Sequence, residues 1–377
     1  MRFPPCFRHA LPILALACLA ACGDSPGDSA PPPPSRESLA AIGSDPGAPR
    51  DELGRAIDRL FDAEAVGQTR ALLVLHRGTI AAERYGDGFR QDARLLGWSL
   101  SNCVTAIMIG LLVSDGRLRL NESAPVPAWQ RSGDPRGEIT LRQLLQMRSG
   151  LRHTETGDTD HRTDSARMLF LDGRDDMADY AEAQPLESEP GARFEYSSAN
   201  AVILADLAAR SLTSRKDPAI RRKLVAGYLR TRLLEPARVP GMTAEFDAAG
   251  TLIGSGMIHA TARDWGKLGE FLRHGGSVSG AQVVPRRWIE FMRSPSPRNP
   301  GYGAQVWLNR PHNAGRQELF PGKAPESLFA CIGTLGQYVI VSPDQKITVV
   351  RLGHSADDQR DALRDRLGEL VAIYPGQ

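Results

Sequence analysis

Strand-like segments stand at both ends of this chain, with helical patterns between them, and that arrangement leaves few ways to fold. Ala71–His76 and Ile80–Tyr85 are short apolar runs separated by Arg77-Gly78-Thr79, the pattern of a β-hairpin. Ser327–Ile332, Gln337–Val341 and Ile347–Leu352 repeat the pattern near the C-terminus, with Ser342-Pro343-Asp344-Gln345 turning between the last two. Between these ends the spacing turns helical. Val104, Ile107, Met108, Leu111 and Leu112 recur at i, i+3, i+4, i+7 and i+8, and Asp115-Gly116 closes that helix. Thr140-Leu141-Arg142-Gln143 is a capping-box pattern opening a short helix. Helices are also expected over Asp51–Ala65, Ala199–Leu212 and Asp357–Ile373, while about 151–195 reads as polar and irregular. The expectation is a mixed α/β (α+β) fold, with one antiparallel sheet built from both chain ends, flanking helices and an inserted helical region.

At 377 residues the chain can bury a large core, and a net charge of +2 argues against a nucleic-acid partner. The N-terminus reads as a targeting segment. Arg2 and Arg8 precede Leu11–Ala21, an apolar run too short to span a bilayer stably. It ends in Leu19-Ala20-Ala21-Cys22, which resembles a bacterial lipoprotein cleavage box. The resemblance implies a signal peptide over 1–22, lipid on Cys22, and export to the envelope facing the periplasm. Gly23 would suit outer-membrane sorting. An ordinary secretory signal is the alternative. Residues 23–50, with four consecutive prolines, read as a disordered tether, and 51–377 as the folded domain. Gly23-Asp24-Ser25-Pro26-Gly27 is a formal G-x-S-x-G, but a tether supplies neither the strand nor the helix that motif needs. No C-x-x-C or clustered His/Cys spacing supports a metal, and no cofactor is implied.

Several stretches carry chemistry. Trp98-Ser99-Leu100-Ser101-Asn102 opens a helix, Phe194-Glu195-Tyr196-Ser197-Ser198 follows a Pro190-Gly191 turn, and Gly333-Thr334-Leu335-Gly336-Gln337 leaves a C-terminal strand. With Thr140–Leu145, Ser149-Gly150-Leu151 and Gly256–Asp264 between them, this order resembles the serine hydrolases of the β-lactamase and penicillin-binding superfamily. It is most similar to their esterase and aminohexanoate-oligomer hydrolase branch, over about residues 55–355. The resemblance implies a β-lactamase-like fold and an acyl-enzyme on Ser99. It implies Tyr196 as general base and an oxyanion hole from the backbone of Ser99 and Thr334. Ser198, Gly333, Gly336 and His153 would line the substrate, a small ester, amide or peptide-like molecule. Taken alone, Ser99 also suits a helix cap, Tyr196 a core aromatic, and the two glycines a strand bend.

The sequence departs from that family at Asn102. The family pattern is Ser-x-x-Lys, and asparagine has no titratable group. None of the five lysines, Lys216, Lys223, Lys267, Lys323 and Lys346, stands three residues after a serine. Either Tyr196 works alone or with a substitute cation such as His153, His354 or an arginine, or the domain is a catalytically silent binding module, or Asn102 is a recent change. The C-terminal strand also lacks the Lys-Thr-Gly cation of the β-lactamases, which ranks ester or amide hydrolysis above β-lactam hydrolysis. Cys103 and Cys331 would flank the same pocket. Two buried free thiols are the favoured expectation, a disulfide the alternative.

Overall fold

The computed structural model describes residues 31–157, 159–313 and 315–376. The segment expected to be a signal peptide, with Cys22 and the first part of the expected tether, lies outside the described residues.

Among the described residues eleven strands are numbered in chain order. The main sheet contains β1 (Gln68–His76), β2 (Thr79–Tyr85), β8 (Trp307–Leu308), β9 (Phe329–Gly333), β10 (Gln337–Ser342) and β11 (Ile347–His354), in the order β2-β1-β11-β10-β9-β8. Three short strands, β3 (Leu95–Leu96), β4 (Thr243–Ala244) and β5 (Ile258–Ala260), form a second sheet. The short strands β6 (Ser277–Val278) and β7 (Ala281–Gln282) pair with each other. The two chain ends meet as expected. β1 runs antiparallel to β11, with Leu73 opposite Val350 and Val74 opposite Val349.

Period-2 alternation divides this sheet between two cores. Leu73, Leu75, Val339 and Val350 face the cluster that holds helices Ser101–Ser114 and Ala262–Arg273. Leu72, Val74, Ile340 and Val349 face helices Arg50–Leu60 and Arg360–Ala372 through Leu53, Ile57, Leu363 and Leu367. On the first face the helix lies close because it carries glycine. A Cβ on Gly269 would fall 2.5 Å from Thr348 Cγ2.

The tether expected through residue 50 is corrected. From Ser35 onward the chain belongs to the fold. Ser35 caps a helix at Arg36–Ala41, and Ile42 bridges to Ala82. The Ser35 amide, the Ser35 hydroxyl and the Ser38 hydroxyl all donate to the Asp58 carboxylate, at 2.7, 2.5 and 2.7 Å. A polar network, not an apolar stripe, holds this helix, so apolar periodicity does not reveal it. The stretch read as irregular also contains helices Asp164–Phe170 and Met177–Glu182, while the capping box at Thr140 is present with both bonds.

Helix Met177–Glu182 packs on helix Ser198–Leu212 through a buried charge cluster. Asp206 is bonded by Arg210 and Arg221, and Arg210 donates to Glu182 at 3.1 Å. Burial, and then the neighbouring Asp206 carboxylate, push the Glu182 pKa up to about 8 from 4.5. The folded state therefore holds a proton that the unfolded chain releases near pH 4.5. Stability falls as pH rises from about 4.5 to about 8 and is flat beyond. Glu182→Gln is expected to flatten that fall, read as Tm at pH 5 and pH 8. An equally steep decline in the variant would assign the slope to other groups.

Candidate active site

The turn that carries Ser99 is built from both sheets. Gly97 N donates to Ile258 O of β5 at 2.9 Å, and Ile258 N donates to the Ser101 hydroxyl at 3.1 Å. Trp98 then takes φ +48, a left-handed conformation that is costly for a bulky side chain. Trp98–Leu100 form a 3-10 turn, and the α-helix proper starts at Ser101. Ser99 thus stands inside the opening turn, where backbone N–H groups lack helical partners. The helix behind it is buried from Ser101 through Leu112, more completely than one apolar face requires.

Asn102 sits one turn on from Ser99 and is 2% exposed. Its Nδ2 donates to Tyr196 Oη at 2.9 Å, and the Ser99 side chain is near enough to the phenol to act on its pKa. The fold thus brings Tyr196, 94 residues on from Asn102, to the opening turn of the serine helix. Burial, and then the Glu155 carboxylate, hold the Tyr196 phenol well above its ordinary pKa, and the bonds from Ser99 and Asn102 pull only partly the other way. The ring is fixed by Trp307, stacked at 5.8 Å, and by Tyr302, edge-on at 6.0 Å.

The end of β9 lies against Ser99. A Cβ on Gly333 would come within 3.1 Å of Ser99 N and 2.4 Å of Gly97 O, so only glycine allows this approach. Thr334 follows, exposed, where the resemblance requires the second oxyanion donor. Leu335 and Gly336 turn the chain with φ +62 and +80. That turn is held from beneath. Gln337 Nε2 donates to Thr334 O at 3.0 Å and to Leu335 O at 3.1 Å, and Arg351 Nη1 donates to Gly336 O at 2.8 Å. Gly336 faces Arg351 and Leu363, so its close approach is to the fold and not to a substrate.

His153 and Ser198 converge on one residue that sequence reasoning missed. Glu155 bonds His153 Nε2 at 2.8 Å, Ser198 N at 2.8 Å and Ser198 Oγ at 2.6 Å. These bonds, with the His153 charge, keep its carboxyl below the usual range against burial, which raises it. His153 and Ser198 are therefore bound up with Glu155, and His153 does not replace the missing lysine at Tyr196. His354 is exposed at the end of β11, opposite Gln68. Glu155 lies in the polar stretch and gives no local signal, and Tyr302 and Trp307 come from a loop and a two-residue strand.

The expectation of free thiols is corrected. Cys103 and Cys331, 228 residues apart, form a disulfide between the serine helix and β9. β9 packs so closely on this helix, with the two Cα atoms 6.1 Å apart, that the sulfurs meet. No group of three or more His, Cys, Asp or Glu among the described residues is placed to hold a metal.

The family model described as Beta-lactamase matches residues 57–373. The chain belongs to the beta-lactamase family. This is a hydrolase family of amidase and esterase type, and the fold agrees with it. A 6-aminohexanoate-dimer hydrolase of Paenarthrobacter ureafaciens is 28% identical over 230 residues, which is 59% of this chain and 56% of that protein. The match therefore spans just over half of that relative's length. A Bacillus anthracis protein assigned as a 6-aminohexanoate-dimer hydrolase superposes with TM-score 0.65 at 20% identity, covering 82% of this chain and 80% of the other. A family VIII carboxylesterase superposes with TM-score 0.59 at 14% identity, covering 84% and 96%. The last two likenesses concern the fold alone.

Proposed function

We propose that this protein is a serine hydrolase that cleaves small, labile esters, and more slowly amides or peptide-like bonds, through an acyl-enzyme on Ser99. The observation that carries this reading is the bond from Asn102 to Tyr196 at the Ser99 turn, with the end of β9 packed against Ser99 N. The raised phenol keeps Tyr196 protonated at neutral pH, so it acts as a relay and not as a phenolate base. As Ser99 Oγ bonds to the carbonyl carbon, its proton passes to Tyr196 Oη while the phenol proton passes, in the same step, to the leaving-group oxygen or nitrogen. The bond to that protonated leaving group then breaks. Ser99 N and the backbone at Thr334 receive the negative charge of the carbonyl oxygen. Asn102 Nδ2 aims the phenol oxygen by donating to it and transfers no proton itself. Water then repeats the cycle on the acyl-enzyme.

A second reading, a silent envelope module that binds ligand without turnover, is favoured by one observation. The charges acting most strongly on Tyr196 are the carboxylates of Glu155 and Glu318, which oppose a phenolate. The Cys103–Cys331 disulfide supports work in an oxidising compartment, in keeping with an exported protein.

Intact mass after exposure to a fluorophosphonate separates the two. A single adduct that disappears in Ser99→Ala is expected, with labelling slowed at least about tenfold in Tyr196→Phe. Absence of any adduct on folded protein, or an adduct that survives Ser99→Ala, would sink the hydrolase reading.

A further inference from the structure

The cation that β-lactamases carry on their C-terminal strand is missing here, yet a second basic site stands nearby. Arg148 Nη1 and Arg298 Nε both donate to the Gly191 carbonyl, at 3.2 and 3.4 Å. The other terminal nitrogen of Arg148 donates to Gln146 at 2.9 Å, and its Nε is buried without a partner. Neither arginine forms an ion pair among the described residues. Burial, and then the charges of Arg298 and Arg142, press the Arg148 pKa down. Two guanidinium groups on one carbonyl repel each other, and an anion between them relieves that cost.

The surroundings fit such an anion. Arg298 lines a cleft of about 390 Å³ with Asn299, Pro300, Pro311, His312 and Asn313. Asn299 is 1% exposed. Its Oδ1 accepts from Gly301 N at 2.9 Å, which leaves Nδ2 as the free end, and that donor is buried without a partner. The cleft is close to the reacting groups. His312 lies 6.2 Å from the Trp307 ring, which stacks on Tyr196 at 5.8 Å.

We propose that Arg298 and Asn299, backed by Arg148, bind a substrate carboxylate distant from the scissile bond. The preferred substrates are then esters or amides bearing a free carboxylate at their far end, long enough to reach from Ser99 past Trp307. Arginine suits this role because its planar fork matches a carboxylate in two bonds. The substrate preference rests on the Ser99 reading, whereas the anion site does not, and two experiments keep them apart.

The first is calorimetric titration of the Ser99→Ala protein with monomethyl suberate and with dimethyl suberate. The mono-acid is expected to bind at least about tenfold tighter, one charge-assisted bond's worth. Arg298→Gln should abolish the difference, and Arg298→Lys should keep part of it. The second compares kcat/KM for p-nitrophenyl hydrogen suberate and p-nitrophenyl methyl suberate in the native protein. A preference for the acid, carried in KM and lost in Arg298→Gln, is expected. Equal binding of the two suberates, or a difference that persists in Arg298→Gln, overturns the anion site. Discrimination in binding with no turnover of either ester overturns the Ser99 reading and leaves the anion site standing.

Discussion

Asn102→Lys is expected to raise the rate of Ser99 phosphonylation by about 10²- to 10⁴-fold, the usual range for restoring an acid–base partner. The geometry favours the change. Asn102 Nδ2 already stands 2.9 Å from Tyr196 Oη, so a lysine ammonium at this position has an acceptor within reach. Asn102 Oδ1 is buried with no partner, so its removal strands no donor. A cation here opposes the Glu155 carboxylate, the charge that most raises the phenol after burial itself. The pH profile gives a second readout. With Asn102, labelling should vary little through neutrality, because the phenol, the form that relays, stays protonated there. With lysine, labelling should rise as the ammonium loses its proton and then reach a plateau. Burial also favours the neutral amine, which is the form that accepts the serine proton. An unchanged rate in a folded Asn102→Lys protein would mean that more than the lysine has been lost, and would favour the silent module.

Much of the frame was legible in the sequence because its signals are local. The hairpin at Arg77-Gly78-Thr79, the capping box at Thr140 and the three C-terminal strands depend on neighbouring residues, and they stand where their patterns place them. That Tyr196 comes to Asn102 was legible through motif order. What escaped depends on contacts between distant residues. Helix Arg36–Ala41 is held by Asp58, which lies beyond the next turn and presents no apolar pattern. Glu155 means nothing until Ser198 closes on it. The disulfide depends on how closely β9 approaches the serine helix, which no spacing in the chain encodes. Arg351 is the clearest case. Within Ile347–His354 it reads as an exposed charge interrupting an apolar strand, yet it is fully buried, with its head enclosed by backbone carbonyls.

That burial gives Arg351 a large expected effect. Its guanidinium has no carboxylate partner among its hydrogen bonds. It donates to Thr69 Oγ1 at 3.1 Å, Gly336 O at 2.8 Å, Leu335 O at 3.3 Å, Val66 O at 3.3 Å and Gln68 O at 3.2 Å. Burial lowers its pKa to about 9, so it remains charged at neutral pH. Arg351→Met leaves several buried carbonyls without donors, each costing about 1–3 kcal/mol when unsatisfied. Relaxation recovers part of this, and a net loss of roughly 3–5 kcal/mol is expected. For a domain of this size that is a fall in Tm of roughly 4–7 °C. Two of the acceptors, Leu335 and Gly336, form the turn that follows Thr334. Loosening it should displace the oxyanion backbone and lower kcat by about a hundredfold, with KM changed far less. Arg351→Lys keeps the charge and some of the donors, so both readouts should lie between the native protein and Arg351→Met. A lowered Tm with kcat intact would confine Arg351 to holding β11 against β1. A kcat loss that lysine partly restores would place it among the residues that position the oxyanion hole.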